Sequence, residues 1–280
     1  MKKAILLILT LFGYVSFAQN TVNIASESVA VDTGFSLAID FENADAIAGF
    51  QFDITYTGNA IDLGSGHSLT ARASTHVISA SNIDDNTIRV LAYSTNNATI
   101  APGTGTVLNL NLVSENEPGT YAMQISDIVL SDANGAALTS SGTNGQVVVV
   151  GPKYTLATTS IAFGNVPMQS SISQNITISN SGNASMDVTA YSLAAPFSIS
   201  TPFPVTIAAG ASASFVVDVD TSVKQNVTKS AVFTTTDTSP LRAVQSTVIS
   251  ANVYAVNEIH IGAGAGNINT AVTIPVSINN

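Results

Sequence analysis

The chain has 280 residues, a prior for about two domains, and carries 18 acids against eight Lys and Arg for a formal net charge of −10. So acidic a chain repels phosphate backbones, which makes nucleic acid a poor partner. It has no cysteine, so disulfides, thiolate ligands and thiol nucleophiles are excluded, and folding must rest on core burial, feasible at roughly 100–130 residues per domain.

Lys2 and Lys3 precede an apolar run from Ala4 to Phe17, and Ser16-Phe17-Ala18 gives a small-x-small cleavage pattern before Gln19. The pattern predicts a signal peptide over residues 1–18, with the rest secreted, extracellular or on a bacterial cell surface. The run is too short and wrongly flanked for a membrane span, and no later segment reads as one.

From Gln19 onward Ser, Thr, Asn, Gly, Ala and Val dominate, a composition that favours strands over helices. In Phe35–Phe41 the odd positions are apolar, and in Phe50–Tyr56 the even ones are. Each pattern gives one buried and one wet face. Further strands are predicted at Thr87–Tyr93, Thr106–Val113, Tyr121–Leu130 and Gln146–Val150. Turn signals at Asp85-Asn86, Pro102-Gly103, Pro118-Gly119 and Asn134-Gly135 separate them. Residues 19–150 therefore read as a sandwich of antiparallel sheets.

Gly151-Pro152 closes this module, and alternation restarts at Tyr154. Residues 151–256 predict a second, immunoglobulin-like sandwich. Its strands are Ser160–Phe163, Ser173–Asn180, Met186–Leu193, Ser214–Val219, Ser230–Thr236 and Gln245–Asn252. Residues 257–280 then repeat the start of the first module at constant offset. Val22, Ile24, Phe35, Leu37, Ile39, Phe41 and Asn43 align with Ile259, Ile261, Val272, Ile274, Val276, Ile278 and Asn280. These residues are expected to be the first two strands of a truncated further module of the same kind. The fold class is thus all-β, tandem antiparallel β-sandwiches.

Charge is unevenly spread. Residues 19–150 hold 13 acids against Arg72 and Arg89 alone, while residues 151–256 hold four of each sign. Two readings stand: solubility of an exported protein, or a partner bearing basic groups or calcium.

Chemistry-bearing motifs are sparse. His67, His76 and His260 have no metal-ligand spacing with a third ligand. Gly64-Ser65-Gly66 lacks the frame of a nucleophile elbow. Asp84-Asp85 reads as a hairpin tip, because Asp at a turn bonds nearby backbone groups. Asp127, Asp132 and Asn134, beside a turn, are candidate oxygen ligands for calcium, without EF-hand spacing. Tyr56, Tyr93 and Tyr121 are candidate sugar stackers, but aromatics at alternating strand positions are more often core.

The first module resembles the cohesin family. The resemblance rests on VNIASESVAVDTGFSLAIDFEN, on Ile47–Tyr56, on Pro118-Gly119-Thr120-Tyr121, and on Ile128–Gly135 before a Val-rich strand. It implies a jelly-roll sandwich that binds a dockerin-like protein. Outward residues of the third strand would contact the partner, at Gly49, Gln51 and Asp53 here, where many cohesins carry Asn and Asp in place of Gly49 and Gln51. Arg89 and Tyr93 lie on a strand that can join the same face. The candidate binding residues are Gln51, Asp53, Arg89 and Tyr93.

The second module resembles the ASPM/SPD-2/Hydin (ASH) type domain of bacterial choice-of-anchor D surface proteins. The carrying residues are Ser160–Val166, Ile176–Ala184, Pro196-Phe197-Ser198-Ile199 and Ile207–Gly210. The resemblance implies a spacer or adhesive module. Phe163 would plug the core beside a turn at Gly164, and Gly182 would supply a positive φ in the turn after Asn180. The expected function is non-catalytic attachment or scaffolding, with no cofactor or resident metal. The alternative is carbohydrate binding, with a polysaccharide partner, or an accessory role to an enzyme domain beyond residue 280.

Overall fold

A computed structural model describes residues 19–239, 242 and 245–279. The predicted signal peptide and Asn280 lie outside the described residues. The chain divides into two units, Met1–Glu115 with Thr120–Val149, and Asn116–Gly119 with Val150–Asn280. No helix among the described residues is long and apolar enough to cross a membrane.

The first unit runs β1 (Asn20–Ile24), β2 (Glu27–Ala30), β3 (Gly34–Asn43), β4 (Gly49–Tyr56), β5 (Ile61–Leu63) and β6 (Ser68–Leu69). A single 3₁₀ turn, Ala71–Ala73, leads into β7 (His76–Asp84), β8 (Thr87–Ser94), β9 (Gly103–Ser114) and β10 (Gly119–Ser131). Then come β11 (Ala137–Leu138), β12 (Ser140–Thr143) and β13 (Gly145–Val150). One sheet has the order β12-β1-β3-β9-β5, with β6 also on β9; the other has β2-β13-β10-β4-β8-β7, with β11 on β10.

The alternation seen in the sequence drives this layering. Leu37, Ile39 and Phe41 from one sheet meet Phe50, Phe52 and Ile54 from the other, and all are at most 2% exposed. Phe41 and Phe50 meet edge to face at 5.0 Å across the interface. Burying side chains of this size contributes roughly 1.5–3 kcal/mol each, and that burial substitutes for disulfides.

Polar residues tie the strand ends. Asn20 is fully buried and donates to Asp45 Oδ2 and Thr139 O, while its Oδ1 accepts from the Ala44 and Asp45 amides. Arg72 donates to Phe41 O, Gly105 O and Asn43 Oδ1. One of the unit's two arginines is therefore committed to backbone and amide acceptors.

The second unit holds β14 (Tyr154–Leu156), β15 (Ser160–Pro167), β16 (Ser173–Asn180), β17 (Met186–Ser192) and β18 (Phe197–Ile199). It continues with β19 (Val205–Ile207), β20 (Ser212–Val219), β21 (Gln225–Thr235) and β22 (Ser246–Tyr254). Sheets β14-β16-β20-β18 and β15-β22-β21-β17-β19 enclose a core in which Phe215 and Phe233 lie 5.1 Å apart. A last pair, β23 (Glu258–Ile261) and β24 (Val276–Asn279), forms a two-stranded sheet of its own.

Two details depart from expectation. The sheets are not wholly antiparallel: β1 pairs with β12, and β15 with β22, in parallel. Each parallel pair joins distant chain segments and covers an edge, so local hairpin signals do not encode it. Gly182 does not supply a positive φ. A Cβ there would collide with Gly151 O and Lys153 N, so close backbone approach requires the glycine. Gly164 does turn at φ +69°, beside Phe163 stacked at 5.9 Å on Phe197.

Asn180 anchors that approach. Fully buried, it donates to Ala184 O and Ile207 O and accepts from the Lys153 and Gly182 amides. Replacing it with Ala strands several buried backbone groups. Asn180→Ala should destabilise the second unit by about 2–4 kcal/mol in urea unfolding, with the first unit's transition unchanged.

Candidate binding face

β4 sits in the middle of the seven-stranded sheet, between β10 and β8. Its even positions fill the core. Its odd positions, Gly49, Gln51, Asp53 and Thr55, face away from that core. Register places Tyr93, Leu91, Arg89 and Thr87 of β8 opposite them in turn. On the far side of β8, Val77 lies beside Tyr93, and on β10, Val129 lies beside Gln51. The sheet thus brings Gln51, Asp53, Arg89 and Tyr93 to one face, as the sequence expects.

The four residues are not equivalent there. Asp53 is 3% exposed. Arg89 Nε donates to Asp53 Oδ1 at 2.8 Å and Arg89 Nη2 to Oδ2 at 2.7 Å, a bidentate cross-strand pair. The hydrogen bond from Arg89 holds the Asp53 carboxyl below the ordinary aspartate range, against a burial effect that would raise it. Asp53 therefore orients Arg89 and presents little surface of its own, whereas the sequence expectation gave it an outward contact. Gln51 is half-buried.

The rest of the face is apolar, and sequence reasoning missed this. Val77, Leu91, Tyr93 and Val129 are 40–53% exposed and lie on neighbouring strands. β10 carries a register shift between Ser126 and Val129, with Asp127 at φ 50°, which displaces Val129 onto this face. Between Tyr93 and Val129 a groove of about 240 Å³ is lined by Gly49, Gln51, Leu91 and Ser131. The groove persists because position 49 has no side chain: a Cβ there would lie 3.2 Å from Ser131 Oγ and 3.4 Å from Ala92 O. In the sequence, Val129 and Leu91 looked like ordinary members of alternating strands. The bulge that re-aims β10 has no local signature.

Other candidates resolve into structural roles. Tyr56 is 3% exposed and belongs to the core, and Tyr121 packs against it, which leaves Tyr93 as the open aromatic of the three. His67 Nδ1 accepts the Asn111 amide at 3.2 Å, which requires an unprotonated nitrogen. Burial pushes both the His67 and His76 imidazoles below the usual histidine range. Asp132 Oδ1 accepts from the Asn134 and Ala136 amides at 2.8 Å, so it closes its own turn. Asp84 Oδ1 accepts from the Asn86 amide at the β7–β8 tip.

A wider cleft of about 690 Å³ includes Asp62, Asp84, Asp85 and Glu115. A hydrogen bond with Asp62 raises the Glu115 carboxyl. No group of three or more His, Cys, Asp or Glu among the described residues has metal-binding geometry.

Comparison with known proteins assigns both modules. Residues 20–149 match the cohesin domain family. Residues 152–248 match the HYDIN/CFA65/VesB-like, Ig-like domain family. The chain thus contains a cohesin domain followed by an Ig-like domain, and both are non-catalytic kinds of module. Similar solved structures include a non-cellulosomal cohesin from the archaeon Archaeoglobus fulgidus, at 16% identity over 48% of this chain and 93% of that one, TM-score 0.41. A type I cohesin–dockerin complex from Clostridium thermocellum matches at 12% identity over 48% and 94%, TM-score 0.41. The seventh ScaB type I cohesin of Pseudobacteroides cellulosolvens matches at 15% over 47% and 92%, TM-score 0.40. No curated protein matches.

Two predictions follow from the ionisable groups. Because the folded Asp53 carboxyl titrates below its unfolded value, its contribution is complete above about pH 4 and is lost as pH falls further. Asp53→Asn should cost the first unit about 2 kcal/mol at pH 7 and flatten its stability profile below pH 4, measured by urea midpoints. His76 is held neutral by burial, so its contribution is complete above about pH 6.5 and falls as pH drops toward its lower folded value. The slope of stability against pH between 7 and 5 should diminish in His76→Leu.

Proposed function

We propose that this chain is an exported attachment protein whose first unit docks a dockerin-like protein on the β7–β8–β4–β10 face, with the Ig-like unit as spacer. The carrying observation is the half-exposed strip of Val77, Leu91, Tyr93 and Val129 around the Gly49 groove. Contiguous apolar surface of this kind, rimmed by polar groups, marks interaction sites. The cohesin assignment of residues 20–149 supports the same reading, and solved cohesins in complexes with dockerins are among the similar structures. Tyr93 and Val129 supply affinity as central anchors. Gln51 and the Asp53-oriented Arg89 supply direction at the polar margin.

The charge of the first unit shapes the partner. Both of its arginines are engaged, Arg72 by carbonyl groups and an amide and Arg89 by Asp53. The remaining acids give the unit a negative field, which favours approach by a partner with basic residues. Export and display at a bacterial surface are part of the proposal. They rest on the Lys2-Lys3 and Ala4–Phe17 pattern before Gln19.

Isothermal titration of residues 19–280 against a panel of dockerins, and separately against soluble β-glucans and xylans, tests this. Binding to a dockerin is expected, weakened about 30-fold or more by Tyr93→Ala or Val129→Asp with unit 1 still folded. Glycan binding that Tyr93→Ala abolishes, with no dockerin bound, would replace protein docking by carbohydrate recognition.

A further inference from the structure

The β23–β24 hairpin copies β1–β3 in backbone pairing as well as in sequence. In the first unit Thr21 pairs with Glu42, Val22 with Phe41, Asn23 with Asp40 and Ile24 with Ile39. In the hairpin Glu258 pairs with Asn279, Ile259 with Ile278, His260 with Ser277 and Ile261 with Val276. Every pair corresponds at the same sequence offset. The next hydrogen bond does too: the Ala25 amide donates to Ala38 O at 3.0 Å, and the Gly262 amide to Pro275 O at 2.9 Å.

Identical register means identical facing, since a slip of one residue would turn every side chain over. Val22, Ile24, Leu37 and Ile39 are at most 5% exposed beneath the rest of the first unit. Their counterparts Ile259, Ile261, Ile274 and Val276 are 66, 73, 51 and 60% exposed. The same apolar face is built twice and covered once. Two strands by themselves are marginal in water, so such a face needs cover.

The first unit shows what the cover is. β9 runs antiparallel along β3, β12 runs parallel along β1, and the opposite sheet closes over the side chains. The hairpin keeps the matching edge open for a β9-type strand. Ala38 turns its carbonyl toward β1, and in an antiparallel strand a residue's amide points to the same side. Pro275, its counterpart, therefore lacks an N–H on the inner side, at the point where β24 begins. By the same parity Val276, the first residue of β24, presents its backbone groups outward.

We propose that β23–β24 is the opening hairpin of a second cohesin-type sandwich, and that its apolar face takes the remaining strands of such a sandwich, with a β9-type strand along β24. This reading does not depend on the docking face of the first unit.

A graft within the full chain tests it. Residues 20–43 are replaced by the sequence of residues 257–280, which is the same length. The first unit should then still fold, with β9 amides at Gly103–Ser114 exchanging about 100-fold slower than in an unfolded chain. Val at the Phe35 position and Ile at the Phe41 position remove volume, so a second graft restores Phe at both. A third graft, shifted by one residue, should leave β9 unprotected. The proposal fails if neither in-register graft protects β9, or if the shifted graft protects it equally well.

Discussion

Each sheet of this protein has one face that must leave water, and no covalent link helps to hold it. That single constraint sets the architecture. Alternating strands can hide their apolar side only against another sheet, so the chain builds paired layers. Phe41 against Phe50, and Phe215 against Phe233, are the points at which the layers of each unit meet. Strand ends then need their backbone groups satisfied without a disulfide to fix them. Buried asparagines do this, Asn20 in the first unit and Asn180 in the second, because one amide side chain both donates and accepts.

The outward face of the seven-stranded sheet has a different balance. Its charged pair is spent internally, with the Asp53 carboxylate holding Arg89 in a fixed direction. A pre-oriented guanidinium loses less freedom on meeting a partner than a mobile one. Around it the surface is apolar and shallow, with the Gly49 groove as its deepest part. Such a face suits the docking of a complementary surface. The hairpin at residues 258–279 poses the same physical problem in another form, an apolar sheet face that remains wet.

The main strands of both units were legible because period-two alternation is strong wherever one face is buried. β3, β4, β8 and β9 follow it closely. β7 was not legible. In His76–Asp84 only His76 is buried, so this edge strand carries little apolar periodicity. Short strands such as β14, β18 and β19 have three residues each, too few to show a period.

The sequence alone determined the all-β class, the restart after Gly151-Pro152 and the internal repeat, because each is written in local alternation or direct self-similarity; the pairing of β4 with β8 is what brings Gln51 and Asp53 beside Arg89 and Tyr93. Tertiary structure decided the parallel edge pairings, the burial of Asp53 beneath Arg89, and the apolar strip formed by Val77, Leu91, Tyr93 and Val129. Those outcomes depend on which strands become neighbours and where β10 bulges. Residues far apart in the chain settle both, through packing that no local pattern records.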